Sequence, residues 1–260
     1  MAARNPRVRS VAGMQDELPR LDKRTALFLD VDGTLLEIAP SPDAVVVPPG
    51  LVTLLAGLQA GLGGALALVS GRSLATLDRL FAPLRLAMAG QHGAELRLRG
   101  DLPALTLARD ARLDGLVAQA RAFAAAHAGL LVEDKGLGLT IHYRQAPHHA
   151  LAVQAFGARL LDAAGARFEL LPVHMGVELK PRAISKRSAV EWFMREPPFR
   201  GRVPIVLGDD RTDEDGFAAA LALGGRAVRV GCEGPSVATV RIAAPHAVRA
   251  WLAAEAGRLG

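Results

Sequence analysis

Residues 26–34 read Ala-Leu-Phe-Leu-Asp-Val-Asp-Gly-Thr, a hydrophobic run that passes directly into two aspartates. The apolar run predicts a buried strand that ends at Asp30 and Asp32. Side chains two residues apart in an extended segment point to the same side, so both acids can address one small target. Crowded carboxylates repel each other and lose solvation, so they require a cation or a chemical role. Gly33 then lets the backbone turn sharply and approach a ligand closely.

Short apolar runs alternate with helical stretches in the first and last thirds of the chain. Strands are predicted at 26–29, 65–69, 86–89, 203–207 and 227–230, and helices at 51–60, 74–81, 188–195 and 215–223. Such alternation predicts a parallel sheet covered by helices on both faces. Uninterrupted apolar strands agree, because they are typical of strands buried on both sides. The sequence therefore predicts an α/β protein with a Rossmann-like parallel sheet core.

The middle third has a different pattern, which predicts a small α+β cap inserted over the ligand-binding edge of the sheet. Its predicted elements are helices near 110–128 and 149–164 and extended segments at 137–143, 168–171 and 176–180. The expected organisation is a flexible N-terminal tail, a core in two pieces and one insertion. These parts are the tail at 1–24, the core at 25–107 and 181–260, and the cap at 108–180.

The overall composition argues against a nucleic-acid or membrane partner. The chain has 260 residues and a net charge of +5, but its 31 lysines and arginines are dispersed rather than gathered into a run. Residues 51–69 carry no charge, yet Gly61, Gly63 and Gly64 divide them into a helix and a buried strand. Cys232 is the only cysteine, and residues 1–24 lack the apolar core of a secretory signal, so a cytoplasmic location is expected.

Three further polar motifs follow predicted strands or open predicted helices. The strand ending at residue 69 continues into Ser70-Gly71-Arg72, and the strand ending at residue 207 continues into the acidic stretch 208–215. The third motif, Ile184-Ser185-Lys186, opens a helix. Ligands of open α/β sheets bind at the carboxyl ends of the strands, so these motifs are expected to meet there.

The acidic stretch places five acids within the seven residues 209–215 of a basic protein. A cluster of this kind favours a divalent cation, and carboxylate oxygens without nearby histidine or cysteine suit Mg²⁺. Glu214 and Asp215 are explained by the favourable effect of acids at a helix N-terminus. Asp209 precedes the helix, so that effect explains it poorly.

Lys186 carries a positive charge in the first turn of a predicted helix, where the helix dipole disfavours a cation. A bound anion would reverse the sign of that interaction, because helix N-termini bind phosphate readily. A solvated surface lysine is the alternative. Ser70 is weaker evidence by itself, since serine before glycine is common in turns.

Together these motifs resemble the four motifs of the haloacid dehalogenase-like phosphohydrolases. Within that superfamily the chain is similar to the trehalose-6-phosphate phosphatase family from about residue 25 to the C-terminus. The shared segments are Ser70-Gly71-Arg72, His92-Gly93-Ala94-Glu95, Lys135-Gly136, His142-Tyr143-Arg144, Glu178 and residues 208–215. Arg187 stands where the family usually has glycine after the motif lysine, which leaves Lys180 as an alternative to Lys186.

The resemblance implies a phosphatase with an aspartyl-phosphate intermediate. Asp30 is expected to attack phosphorus, Asp32 to act as general acid and base, and Ser70 and Lys186 to hold the phosphoryl oxygens. The implied magnesium site consists of the Asp30 and Asp209 carboxylates and the Asp32 carbonyl, with Asp213 in support. A functional link to a trehalose-6-phosphate synthase is also implied.

The resemblance places sugar recognition in the cap. The cap residues expected to reach sugar hydroxyls are Glu133, Lys135, Arg144 and Glu178, and those expected to line the cleft from the core are Gly33, Gly71, Arg72 and His92. Charged residues that alternate along an inserted strand also commonly face solvent, which is the alternative for the cap residues.

Three functions fit these motifs. The first is magnesium-dependent hydrolysis of trehalose 6-phosphate to trehalose and phosphate. The second keeps this chemistry with another substrate, such as sucrose phosphate or mannosyl-3-phosphoglycerate. The third is a non-catalytic sensor of sugar phosphates, which the intact Asp30 argues against because a binding protein needs no nucleophile.

Overall fold

The computed structural model describes residues 17–39, 44–173, 175–232 and 234–259. Among these residues, the larger sheet contains eight strands. Their spatial order is β12 (Val240–Ile242), β11 (Arg226–Val230), β10 (Val203–Gly208), β1 (Thr25–Leu29), β2 (Leu66–Val69), β3 (Ala87–Gly90), β4 (Glu95–Arg97) and β5 (Leu105–Thr106). The strands from β12 to β3 are parallel, whereas β4 and β5 are antiparallel at one edge.

Helices cover both faces of this sheet. One face packs against α1 (Leu51–Gly61), α2 (Leu74–Phe81) and α7 (Pro245–Leu259), and the other against α5 (Lys186–Phe193) and α6 (Asp213–Ala222). Alternate residues of β1 point to opposite faces of the sheet. Leu27 packs in the apolar cluster under α1, α2 and α7, and Phe28 packs in the cluster under α5 and α6. The α/β prediction with a parallel core is confirmed, and uninterrupted apolar strands are explained by burial on both sides.

A second sheet of four antiparallel strands is inserted between β5 and α5. Its spatial order is β6 (Leu131–Asp134), β7 (Leu139–His142), β9 (Gly176–Pro181) and β8 (Phe168–Val173), and it packs against α3 (Arg112–Ala125) and α4 (Ala150–Ala164). These elements share an apolar cluster of their own, which includes Leu116, Ile141 and Leu160. The inserted α+β unit therefore has its own core, and the limits 108 and 180 remain predictions.

Several elements differ from the predictions in extent. The strands β4, β5, β6 and β12 and the helix α7 were not predicted, because the strands have only two to four residues and the helix lacks a clean apolar stripe. Residues 1–16 of the predicted tail lie outside the described residues. Leu21 is buried, and its N–H donates to Glu255 Oε2 at 2.8 Å, so core packing begins before residue 25.

The uncharged stretch at 51–69 forms α1 and then β2, as its glycines predicted. Within the described ranges, the structure contains no helix that is both long enough and apolar enough to cross a bilayer.

Candidate active site

The predicted motifs meet at one edge of the larger sheet. Neighbouring parallel strands are in register, with Leu29 beside both Leu68 and Leu207, so the loops after β1, β2 and β10 emerge together. The backbone N–H of Asp30 donates to the Leu207 carbonyl oxygen at 3.0 Å, which joins the loop after β1 to the end of β10. The helices α5 and α6 begin at the same edge. Sequence position at strand ends therefore predicted which side chains come together.

Three carboxylates converge at this edge and form the acidic cluster, defined as Asp30, Asp209 and Asp213. One oxygen from each lies within 4.8 Å of the other two. Asp30 and Asp213 are buried, with 6% and 1% of their surface exposed. Burial raises the pKa of Asp30 to about 7 and that of Asp209 to about 6, and neighbouring carboxylates add to the effect. The cluster is therefore an environment in which additional positive charge is favourable.

Lys186 provides one positive charge inside this cluster. Its Nζ donates to Asp30 Oδ1 at 2.7 Å and to Asp213 Oδ1 at 2.6 Å. Burial alone would favour the neutral amine, but the charges of Asp213 and Asp30 outweigh it and raise the pKa of Lys186. Lys186 is consequently an ammonium at neutral pH.

The start of α5 explains how Lys186 reaches this position. Ser185 is the N-cap residue, and its side chain accepts a hydrogen bond from the N–H of Ser188 in a capping box. Lys180, the alternative, lies elsewhere: its Nζ is 3.0 Å from Glu169 Oε1 and also donates to the Ile184 carbonyl. The structure therefore places Lys186, rather than Lys180, beside Asp30.

In addition to its contact with Lys186, Asp213 accepts hydrogen bonds from the backbone of the acidic loop. Its Oδ2 accepts hydrogen bonds from the backbone N–H groups of Asp209 and Asp210, both at 3.1 Å. Gly208 packs so closely that a Cβ at this position would overlap the Asp213 side chain. Both Asp213 oxygens are thus already engaged, so Asp213 has less capacity for a cation than Asp30 or Asp209.

Asp209 is positioned by the motif that follows β1. The Thr34 hydroxyl donates to Asp209 Oδ1 at 3.1 Å. Gly33 has a φ of 80°, and a Cβ there would overlap the Asp209 carboxylate. Gly33 therefore permits the close approach of Asp209, which is a more specific role than a generic tight turn.

The donor set of the acidic cluster fits a hard divalent cation. It consists of carboxylate oxygens, and neither a thiolate nor an imidazole belongs to it. Once its three acids are ionised, the cluster carries a net negative charge despite the Lys186 ammonium, and a dication would offset that charge. Asp30 and Asp209 have the oxygens best placed to hold it.

Asp32 takes a different partner from the other acids. Its carboxylate accepts two hydrogen bonds from Arg72, from Nε at 2.6 Å and from Nη2 at 2.8 Å. Such a bidentate pair fixes the direction of both side chains. Asp32 and Arg72 both line the cleft between the core and the inserted sheet.

The segment that contains His92 lies over the loop after β2. His92 donates its backbone N–H to the Ser70 carbonyl at 2.9 Å, and Ser70 is only 1% exposed. Gly71 leaves room for the imidazole, because a Cβ there would lie 2.9 Å from His92 Cε1. Gln91 and His92 have φ values of 46° and 59°, an uncommon conformation for two successive residues other than glycine.

The imidazole of His92 is neutral at physiological pH. Burial lowers its pKa to about 3, and the charge of Lys186 contributes in the same direction. Its Nδ1 is buried and has no hydrogen-bond partner among the residues that the structure describes. His92 therefore has hydrogen-bonding capacity left for a ligand.

The cleft has a volume of about 800 Å³ and is lined by residues from both the core and the inserted unit. Its lining includes Asp32, Gly71 and Arg72 from the core and Glu133, Lys135 and Arg144 from the inserted unit. Glu178 is 4% exposed and lines an adjoining small cavity with His92. Lys135 Nζ lies 3.2 Å from Glu178 Oε1, whereas Glu133 pairs with His142 at 3.1 Å.

Two residues with clear structural roles, Thr34 and Glu95, were named in the sequence only as parts of longer motifs, with no role of their own predicted. Thr34 contacts Asp209, and Glu95 accepts hydrogen bonds from Leu74 N–H at 2.6 Å and Gln91 Nε2 at 3.0 Å. Thr34 belongs to the motif at 30–34, and its position next to the acids in the sequence could have predicted its contact with an acidic side chain. The contacts of Glu95 depend on the antiparallel β4, which the sequence did not predict.

The fold is that of the haloacid dehalogenase-like hydrolases. A haloacid dehalogenase-like hydrolase from B. subtilis superposes with a TM-score of 0.65 at 13% identity, covering 87% of this chain and 98% of that one. The chain belongs to the trehalose-phosphatase family, whose model matches residues 28–241. It is therefore a phosphoric monoester hydrolase.

Two further comparisons agree with this assignment. A trehalose-6-phosphate phosphatase of Escherichia coli strain K12 is 42% identical over 239 residues, which are 91% of this chain and 88% of the relative. The C-terminal domain of the C. albicans trehalose-6-phosphate phosphatase has the same fold. It superposes with a TM-score of 0.79 at 22% identity and covers 91% of this chain and 93% of that chain.

Proposed function

We propose that this protein hydrolyses trehalose 6-phosphate to trehalose and inorganic phosphate through an aspartyl-phosphate on Asp30. The observation that carries the proposal is the buried Asp30 carboxylate with the Lys186 ammonium 2.7 Å away, beside two further acids. A binding protein has no need of a buried nucleophile in such a site. The choice of sugar is supported by the name of the E. coli relative at 42% identity.

In the first step, an Asp30 carboxylate oxygen attacks phosphorus and the bond between phosphorus and the sugar oxygen breaks. Asp32 donates a proton to that leaving oxygen, so trehalose departs as a neutral alcohol. In the second step, Asp32 takes a proton from water, and the water oxygen attacks phosphorus. The bond to Asp30 breaks, its carboxylate is restored and inorganic phosphate is released.

Two steps replace one difficult displacement, which matters because phosphate monoesters hydrolyse so slowly without a catalyst that accelerations up to ~10²¹ are known. Lys186 and Ser70 hold the phosphoryl oxygens, and the buried ammonium offsets the charge that gathers there. The shape of the site thus aligns the phosphoryl group with Asp30 before bond formation.

A Mg²⁺ ion would be held by the Asp30 and Asp209 carboxylates and the Asp32 carbonyl, with Asp213 in support. When bound, it supplies charge that reduces repulsion between the anionic phosphoryl group and the carboxylates. The hard oxygen donors and their net negative charge support magnesium over softer metals.

The inserted unit acts as the cap that selects the sugar. Glu178, Lys135, Glu133 and Arg144 contact sugar hydroxyls from the cap, and Arg72 and His92 line the same cleft from the core. The cleft of about 800 Å³ supports this assignment, because Asp32 and Arg72 of the core line it together with Glu133, Lys135 and Arg144 of the inserted unit. Cap closure over the bound sugar would also exclude water from the reaction.

The physiological setting follows from the substrate. A trehalose-6-phosphate synthase is the class of enzyme that must supply trehalose 6-phosphate, so a functional link between the two is proposed. Cys232 is a free exposed thiol, which supports a reducing cytoplasm as the working compartment.

The direct test is phosphate release by the purified protein from a panel of sugar phosphates, with MgCl₂ or EDTA present. Trehalose 6-phosphate should be hydrolysed fastest, and EDTA should stop the reaction until magnesium is restored. Preference for sucrose phosphate or mannosyl-3-phosphoglycerate would move the assignment to another sugar. Undiminished turnover in EDTA would contradict the metal.

A further inference from the structure

The acidic loop between β10 and α6 has a second partner besides Asp213, which is Arg229 on the neighbouring strand β11. Arg229 lies on β11, next to β10, and its Cα pairs in register with that of Gly208. Its Nη1 donates to the Asp210 carbonyl oxygen at 2.7 Å. The Arg229 guanidinium therefore binds the loop backbone at the residue that follows Asp209.

Glu214 orients that guanidinium from the first turn of α6. Its Oε1 accepts from Arg229 Nη1 at 3.2 Å, and its Oε2 accepts from the Val237 N–H at 2.9 Å. Both side chains are mostly buried, with 14% of Arg229 and 24% of Glu214 exposed. The sequence explained Glu214 by the helix dipole alone, whereas the structure gives it two specific partners.

We infer that Arg229 and Glu214 form a positioning pair that fixes the Asp209 loop and thereby sets the affinity of Asp209 for a divalent cation. The inference rests on the proposed function, because it takes Asp209 as a metal ligand. Residues that orient metal ligands without touching the metal typically change metal affinity or activity about 10- to 100-fold when removed.

The sign of the effect separates positioning from simple electrostatics. A guanidinium close to a cation site opposes cation binding through its charge. If Arg229 acted through charge alone, Arg229→Met would bind Mg²⁺ more tightly than the wild type. If Arg229 acts by holding the Asp210 carbonyl, the same variant binds Mg²⁺ more weakly.

Calorimetric titration of MgCl₂ into the metal-free full chain measures this sign. We expect Arg229→Met to bind Mg²⁺ about 10- to 100-fold more weakly, with Arg229→Lys recovering part of the loss. Glu214→Gln should also weaken binding. Loss of its negative charge acts in the same direction, so faster amide exchange at Asp209 and Asp210 is the informative readout for this variant if Arg229→Met fails to fold. Arg241→Met is the matched control, because Arg241 neighbours Arg229 in register and donates to the Gly231 carbonyl at 3.3 Å and the Gly234 carbonyl at 2.7 Å, both outside the acidic loop.

Amide hydrogen exchange in the absence of metal gives an independent readout. The N–H groups of Asp209 and Asp210 should exchange faster in Arg229→Met than in the wild type, while β11 keeps its protection. The inference is overturned if Arg229→Met and Glu214→Gln match or exceed the wild-type affinity, or if Arg241→Met weakens binding equally. A wild-type protein that hydrolyses substrate without binding Mg²⁺ would instead remove the metal assignment itself.

Discussion

Arg72 holds Asp32 through two parallel hydrogen bonds, from Nε to Oδ2 at 2.6 Å and from Nη2 to Oδ1 at 2.8 Å. The arginine is the more buried partner, with 12% of its side chain exposed against 35% for Asp32. The pair keeps the Asp32 carboxylate directed into the cleft, where a leaving sugar oxygen would lie. Asp32 therefore pairs with Arg72, whereas Asp30 pairs with Lys186 inside the acidic cluster, so the two acids that follow β1 have different partners.

This pair predicts that Arg72 acts largely through Asp32. Arg72→Met should lower kcat about 100-fold, since misplaced general acid–base groups typically cost at least this much. Arg79→Met is the control and should leave kcat unchanged, because Arg79 is an exposed residue of α2, the helix that begins two residues after Arg72. An unaltered kcat in Arg72→Met would contradict the positioning role.

Asp209 predicts an unusual pH dependence of stability in the metal-free protein. Burial raises its folded-state pKa to about 6 from an ordinary 3.8, so the folded protein binds a proton that the unfolded chain has released. The metal-free fold therefore loses stability from this group as pH rises from about 4 to about 6.

Replacing this carboxylate should remove the penalty. Asp209→Asn should raise the unfolding free energy in EDTA at pH 7.5 by about 1 kcal/mol, and the gain should vanish near pH 4. Added MgCl₂ should stabilise the wild type and leave the variant unaffected. Urea unfolding measures both, with Asp215→Asn on the exposed side of α6 as control. A variant less stable than the wild type at pH 7.5 would refute this account.

Lys186 predicts a coupled loss of stability and activity. Lys186→Met leaves Asp30 and Asp213 buried without their cationic partner, which typically costs about 3–5 kcal/mol. Turnover should be lost as well, and lowering the pH should recover part of the stability because the acids then accept protons. Lys180→Met is the comparison, since its ammonium pairs with Glu169 instead. Lost turnover in Lys180→Met with normal turnover in Lys186→Met would reverse the assignment.

The position of Glu178 predicts that its removal impairs hydrolysis of the sugar phosphate and spares hydrolysis of a substrate without a sugar. Glu178→Ala should lower kcat/KM for trehalose 6-phosphate about 100-fold and leave hydrolysis of a small aryl phosphate within a few-fold, because it lies in the inserted sheet. Glu169→Ala, on the neighbouring strand β8, is the matched control. Equal losses on both substrates would remove the inserted unit from sugar selection.

The sequence predicted that the polar motifs meet at one edge of the sheet, because the signals for strand ends are local. Asp30, Ser70 and Asp209 each follow an apolar strand directly, and parallel strands bring such positions to one edge. The partners of these residues were less accessible. Arg72 contacts Asp32, and Arg229 contacts the Asp210 carbonyl in the acidic loop. Both contacts depend on the directions of side chains that come from different strands, and the periodicity of the sequence does not encode those directions.

The same distinction holds for the fold. Long apolar strands such as β1 and β10 and the amphipathic helix α2 were predicted nearly to the residue. The short strands β4 and β5 and the helix α7 were missed, since tertiary packing rather than local pattern specifies them. The inserted unit was recognised from the change in pattern alone.

The central claim is that Asp30 becomes phosphorylated during turnover, and its most direct test is rapid acid quenching during hydrolysis of a radiolabelled sugar phosphate. Peptide mapping should then find an acid-stable, hydroxylamine-sensitive phosphoryl group on the peptide that contains Asp30. The label should appear at least as fast as product forms, and Asp30→Asn should carry none. Steady turnover without a labelled protein, or a label on another residue, would contradict the account.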